Sequence, residues 1–460
     1  MADVMSPSNA LVLVERYVPE WESNRDDVDL VDRWYRGTLV EADKPVLSGH
    51  STREYRELRD RSATRWLELV VTTVAQSLYV EGYRRSTGDE GNAAAWRAWQ
   101  RNSLDGRQSR VHRGALAHGL HYVTLMPGSA DREFIPTMRT VSARKMVTWW
   151  DDRANDEWPI YALTGEKVTS DTTRFVLYDH SARYVVDRVS DRFMFVGAEV
   201  HGFGECPVVR FANQLDSDGR TTGEVEPHID LAARINQDTF DRLIVQRFGA
   251  WLLRWVAGME LADPDLDPDA DSKNRALKAK IAVEDILLID SPDAKLGAFP
   301  ATPLGGYIDS RDADIRDLAA VTQTPPHHLL GHVANLSAEA LAAAEAGLTR
   351  KVNERKHQYG ESWEQVLRGA AHLMGDTEGA ADFSAEVRWS DTESRSLAQA
   401  ADALLKLREV GVPIRLLLEK VPGFTQQDID MAMAEIDDAS AMAELASKIE
   451  GSLRGGADTG

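Results

Sequence analysis

Pro325-Pro326 is the feature that most constrains this chain, because it stands between two stretches that read as helices. Asp314, Ile315, Leu318, Ala319 and Thr322 recur at helical spacing, and neither proline can continue that helix because each lacks a backbone N–H. Thr324 is pushed out of the helical region by the proline that follows it. Beyond the prolines, a loop containing histidines and Gly331 leads to an Ala-rich helix. Asn335 or Ser337 can cap that helix, and Glu339 sits in the first turn, where acidic residues are favoured. A loop clamped between two long helices suits a part that moves against something.

Charge narrows what that something can be. The 460 residues carry a formal net charge of −21, so the chain cannot coat nucleic acid by releasing counterions, which needs clustered Lys and Arg. Any contact with DNA is expected to be local or weak. The single cysteine, Cys206, rules out an intrachain disulfide framework and suits a reducing cytosol; placed before Pro207, it reads as a packed small residue. The opening MADVMSPSNALVLVERY lacks the basic and apolar regions of a secretory signal. The most apolar window, Leu243–Val256, is too short to span a bilayer and contains Arg247 and Arg254. A soluble protein without membrane contact is expected.

Periodicity predicts an α+β fold, mainly helical. Residues 1–125 read as helices: Ser8–Trp34, interrupted at Pro19, and Glu54–Tyr79, with an apolar face from Leu58 to Leu78. Trp96 and Trp99 continue the pattern as core residues. From about residue 120 the segments shorten and become β-branched and aromatic: Tyr122–Met126, Met146–Trp150, Ile160–Leu163, Arg174–Tyr178, Arg183–Val186 and Phe193–Val196. Turn clusters separate them, as in an antiparallel sheet. Ile229–Ala257 then reads as one helix, about 43 Å long at 1.5 Å per residue. Asp230, Arg234, Asp238 and Asp241 share one face of it, with favourable Asp230–Arg234 and Arg234–Asp238 neighbours, and Arg247 and Arg254 lie near the opposite side. A compact insertion follows, with an acidic run through Asp263, Asp265, Asp267, Asp269 and Asp271 and a strand at Asp285–Asp290, before Tyr307–Gln323 returns as a second helix. Residues 338–374 read as a long helix with candidate bends at Gly347, Gly360 and Gly369. A strand at Phe383–Trp389, three helices within Ser394–Ser447 and a disordered tail complete the chain.

Few motifs carry chemistry. The run DPDLDPDAD alternates carboxylates like a calcium loop, but Pro268 stands where glycine is needed and Asn274 where a bidentate glutamate is needed. His327, His328 and His332 cluster, yet zinc needs a fourth ligand and ordered backbone, so no metal site is read there. His112, His118 and His121 read as packed or surface residues. No phosphate-binding loop, nucleophile elbow, zincin helix or dinucleotide fingerprint is present, so neither a cofactor nor an enzyme is expected.

The order of parts resembles the portal proteins of tailed double-stranded-DNA bacteriophages, siphophage branch. The resemblance rests on WRAWQRNSLDGRQSRVHRGALAHGLHYV (Trp96–Val123), GFGECPVVRFANQ (Gly202–Gln214), the long helix from Ile229, TQTPPHHLLGHVANLSAEAL (Thr322–Leu341) and VRWSDTESRSLAQAADALLKL (Val387–Leu407). It implies a homo-oligomeric ring, twelve-fold in the family, at one capsid vertex, serving as the head–tail connector for genome packaging and ejection. It implies a wing at 1–222, a stem helix at 223–258, a clip at 259–305, a second stem helix at 306–323 and a tunnel loop at 324–337. A long bent helix with a returning wing strand (338–390), a crown (391–450) and a disordered tail (451–460) would follow. The implied partners are double-stranded DNA in the channel, the terminase large subunit, scaffold and major capsid protein, and head-completion or tail connector proteins. The implied location is the virion, with assembly in the host cytoplasm.

On that plan Pro325, Pro326, His327, His328, His332, Val333, Ala334 and Asn335 would form the DNA-tunnel loop. Arg247, Arg254, Asp238 and Asp241 are the stem candidates for the channel wall, and the five aspartates from Asp263 to Asp271 a docking surface for partners. Two other classes compete. A cellular helical scaffold or adaptor would show a repeat period, which is not apparent, and a carboxylate-dependent nuclease rests only on the abundance of acidic residues.

Overall fold

The computed structural model describes residues 4–47, 53–85, 89–249, 254–257, 269, 295–298, 303–331, 338–390, 397–421, 424–425 and 427–436. They fall into two compact units: Met1–Thr38, Arg65–Ala232 and Asp317–Gly460 form the first, Leu39–Thr64 and Ala233–Arg316 the second.

The first unit opens with helix α1 (Pro7–Arg36). The Ser6 side chain accepts from the Asn9 N–H at 3.2 Å, Pro7 occupies the first turn, and Gly37 in the left-handed conformation closes the end. The interruption expected at Pro19 does not occur. Proline removes one hydrogen bond, but Ala10, Val14, Val18 and Trp21 are buried against a sheet and carry the helix through. That sheet is antiparallel and runs in sequence order: β4 (Met146–Trp149), β5 (Tyr161–Lys167), β6 (Thr172–Tyr178), β7 (Ala182–Val189) and β8 (Arg192–Val200). Phe175 faces Val186 and Leu177 faces Tyr184 across the β6–β7 ladder, and all four are buried beneath α1. Gly165 in β5 lets the Trp21 indole approach the strand closely, since an added Cβ would stand 2.6 Å from it.

A second sheet places β2 (Leu120–Met126) between β3 (Thr137–Ser142) and β9 (Val208–Ala212). Cys206 is buried beside it, and burial pushes its thiol well above the ordinary range, so it packs rather than reacts. Residues 54–79 do not form one helix. Helix α2 (Arg53–Asp60) belongs to the second unit and α3 (Trp66–Ala75) to the first; between them the Thr64 N–H donates to Asn236 at 3.2 Å, out of helical register. Then β1 (Val80–Arg84) pairs with β12 (Glu386–Trp389). Helices α4 (Asp89–Arg101) and α5 (Leu104–His118) lead into β2.

In the second unit, α6 (Ile229–Gly249) and α7 (Gly305–Val321), which both extend from the first, are tied together across their facing sides. Arg234 reaches Asp314 at 2.7 Å and the Ser310 hydroxyl donates to Asp238 at 2.8 Å. The expected helix to Ala257 is shorter than that: Arg254–Ala257 is strand β10, antiparallel to β11 (Lys295–Ala298). Gly249 weakens the helix end, and Trp255 and Val256 suit a pleated ladder once a partner strand is at hand.

After α7 come α8 (Pro326–Leu330), α9 (Ala338–Leu373), α10 (Thr377–Ala380), β12, α11 (Leu397–Glu409) and α12 (Ile414–Leu418), with a further helix over 427–436. Gly369 in α9 serves close packing, because a Cβ there would come 2.5 Å from Leu125 Cδ1. The strand expected at Asp285–Asp290 and the tail lie outside the described residues. Among the described residues, no helix is long and apolar enough to cross a membrane.

Candidate functional site

The junction of α7, α8 and α9 combines a left-handed residue, Gln323, with a buried charge cluster around Glu224. Helix α7 ends in a Schellman arrangement: the Thr324 N–H donates to the Ala319 carbonyl at 2.9 Å, and Gln323 takes φ +52° where glycine is usual. The Thr322 hydroxyl donates to the Leu318 carbonyl at 2.7 Å, closing the turn. Pro325 then sits extended at φ −55°, ψ 130°, and Pro326 begins α8. A loop was expected here from residue 324. Pro-Pro ends one helix but also starts the next, since proline at the first helical position loses no hydrogen bond and its φ is already helical. Gly331 terminates this short helix, donating to the His327 carbonyl at 3.0 Å.

His327 and His328 therefore lie on α8, and both imidazoles turn to one carboxylate on α9. His327 Nε2 is 3.0 Å and His328 Nε2 3.1 Å from Glu345 Oε1. Two turns along α9, Lys351 Nζ reaches Glu224 at 2.6 Å and donates to the Thr322 carbonyl at 2.8 Å, and Arg355 reaches the other Glu224 oxygen at 3.3 Å. Glu224, Lys351 and Arg355 are 4 %, 5 % and 1 % exposed, so each charge depends on its partners rather than on water. Burial lowers the Lys351 pKa, and the Glu224 charge opposes that shift. Glu224 enters because Gly223 lets the backbone approach: a Cβ at Gly223 would stand 2.4 Å from the Ala117 carbonyl oxygen, and the Glu224 N–H donates to Leu116 at 2.7 Å.

The second half of α9 rests on aromatic rings. Trp363 packs edge-on against Trp99 and Phe211 at 4.8 and 4.6 Å between centroids, and Tyr359 stacks on His112 at 5.6 Å. His112 Nδ1 lies 3.1 Å from the Leu78 carbonyl and its Nε2 2.8 Å from Trp363 Nε1, a pattern that fits a neutral ring donating from Nδ1 and accepting at Nε2. Burial holds its pKa down to about 3. His121 is buried and likewise lowered to about 3, while His118 lies 3.3 Å from Asp32.

The other sequence-predicted residues are scattered. Pro325 and Pro326 stand beside His327 and His328, whereas His332, Val333, Ala334 and Asn335 lie outside the described residues, as do both candidate caps of α9. Arg247, on α6, sits 3.6 Å from Glu54, and Asp241 accepts from Gln237 at 2.9 Å. Arg254 is not on the helix face at all but in β10. Of the acidic run only Asp269 is described, and it is exposed; Asp263, Asp265, Asp267 and Asp271 lie outside. Glu224, Glu345, Lys351 and Arg355 went unread. Lys351 and Arg355, four apart on a helix, were the available signal, but their partner lies over a hundred residues away.

The family described as phage portal protein, SPP1 Gp6-like, matches residues 14–446. The chain belongs to that family. Portal proteins of Mycobacterium phages D29 and L5 are each 27 % identical over 355 residues, covering 74 % of this chain and 71 % of theirs. Among solved structures, a chain from the virion of a native gene transfer agent particle aligns at 13 % identity and TM-score 0.45, covering 84 % of this chain and 98 % of its own. A chain from the neck of an empty gene transfer agent particle aligns at 12 % identity and TM-score 0.43, covering 80 % and 92 %. The phage portal family is one of structural assembly components: this portal protein is a virion part, the head–tail connector used in genome packaging.

Proposed function

We propose that twelve copies of this portal protein close into a ring at one capsid vertex and that α6 and α7 line its channel for double-stranded DNA. On this reading residues 1–222 and 338–390 are the wing, α6 and α7 the stem, and the segment from β10 to β11 the clip. Residues 324–337 form the tunnel loop and 391–450 the crown. Arg254 then belongs to the clip rather than to the channel wall. The observation that carries the reading is the extent of the family match, residues 14–446. Charge supports it: a chain of net charge −21 presents DNA with a mostly repulsive wall, which lets a duplex slide instead of binding. Two of the stem cations are already engaged, Arg234 with Asp314 and Arg247 with Glu54, and that fits a conduit better than a grip.

The chain supplies no chemistry of its own on this account. Packaging energy comes from the terminase large subunit docked on the clip, where the aspartates 263, 265, 267, 269 and 271 offer a surface for basic residues. Head-completion and tail connector proteins replace it after filling, scaffold and major capsid protein hold the wing, and assembly takes place in the host cytoplasm. Deleting Val333-Ala334-Asn335 tests the channel reading, with packaged DNA per head as the readout. Fewer filled heads are expected from rings that still assemble; unchanged filling and retention would contradict a tunnel role for this loop.

A further inference from the structure

We propose that His327, His328 and Glu345 form a binding site for a divalent transition-metal cation of the zinc type, joining α8 to α9. Among the described residues these three make the one group of His, Cys, Asp or Glu side chains whose ligand atoms lie within 4.8 Å of one another. The spacing is close to what zinc requires. Ligand bonds of about 2.0–2.1 Å at a tetrahedral angle put neighbouring donor atoms about 3.3 Å apart. His327 Nε2 and His328 Nε2 are 3.0 and 3.1 Å from the same Glu345 oxygen, so small outward shifts admit the ion.

The donor set selects the metal. Two imidazole nitrogens and one carboxylate oxygen suit zinc, cobalt or nickel, whereas calcium and magnesium take oxygen. Three protein ligands leave a fourth position for water. The donors are also held: His327 is mostly buried, with a side-chain exposure of 12 %, and the imidazole rings stand nearly perpendicular, 4.5 Å between centroids. Pro326 at the start of α8 and Gly331 at its end fix the turn that carries both histidines. A carboxylate facing two imidazoles, on a chain of net charge −21, favours cation capture. The cation would tie α8 to α9, independently of the ring or its cargo.

The competing state is a plain hydrogen-bonded trio, each imidazole donating an Nε2 proton to Glu345. The full-length protein, stripped with a chelator, is titrated with zinc against a chromophoric competitor and with cobalt(II) to read coordination from its visible absorption. One zinc per chain and a tetrahedral cobalt spectrum are expected. Glu345→Gln keeps a hydrogen-bond acceptor and so the fold, verified by circular dichroism, but removes the anionic ligand; His327→Ala removes a nitrogen. Each should weaken zinc by at least about tenfold, the low end of what loss of even an outer-shell partner costs. His357→Ala, outside the trio, should leave the affinity unchanged. Failure of the wild-type protein to take up stoichiometric zinc, or wild-type affinity in both trio variants, would overturn the proposal.

Discussion

The two halves of α9 solve the same problem with different physics. Its first half faces the α7–α8 turn with Glu345, Lys351 and Arg355, and the last two converge on buried Glu224. Its second half buries Tyr359, Trp363, Val366, Leu367 and Ala370 at helical spacing against the rings of α4, α5 and β9. Aromatic packing holds by shape and apolar burial rather than by paired charges. The ionic half is all or nothing, because each group is costly to leave alone.

The largest effect should come from the aromatic half. Trp363→Ala removes the ring at the centre of that core and leaves His112 Nε2 without its donor, so urea unfolding should show a loss of about 4–5 kcal/mol. A loss under about 1 kcal/mol would mean that this half does not carry the helix. Glu224→Gln should rank next, at about 3 kcal/mol, because it strands two buried cations. If it proved silent, water must reach Lys351 and Arg355, and the contrast between the halves would collapse.

Acid separates the halves further. His112 and His121 have folded pKa values of about 3, below the unfolded value of about 6.5, so the unfolded chain takes up protons that the fold refuses. Their neutral packing is fully compatible with the fold above pH 6.5 and opposes it progressively as pH falls toward 3. Stability should drop by about 1.4 kcal/mol per pH unit for each histidine within that window. His112→Gln, whose amide can serve both partners, should lower the slope measured by denaturation between pH 6 and 4 by up to about 1.4 kcal/mol per pH unit; an unchanged slope would assign the titration elsewhere. The smallest effect concerns the turn itself. Gln323→Gly relieves a left-handed backbone and should raise stability by up to about 1 kcal/mol, read as a higher melting temperature.

What was legible in the sequence follows the same division. The apolar periodicity that runs through α3 and the β-branched runs of the five-stranded sheet are local signals; they show the kind of element, but α2 and α3 merge into one span and the strands come out short at their ends. The Pro-Pro break was equally local, although it hid the short helix that it starts. Strand β3, TMRTVS, lacks apolar alternation, and β1 is a strand only because β12, some three hundred residues later, completes its ladder. The end of α6 was misplaced for the same reason, since β10 needs β11. Glu224 and Glu345 look like ordinary surface acids until the fold brings Lys351, Arg355 and the two histidines to them. Partners set by tertiary approach leave no trace in spacing.

The central claim is that identical copies of this chain enclose a channel. Single-particle imaging of the purified full-length protein, with rotational symmetry counted from end-on views, tests it most directly. The account predicts annular particles with a central hole and twelve-fold symmetry. Compact particles without a hole, persisting as the protein is concentrated, would contradict it.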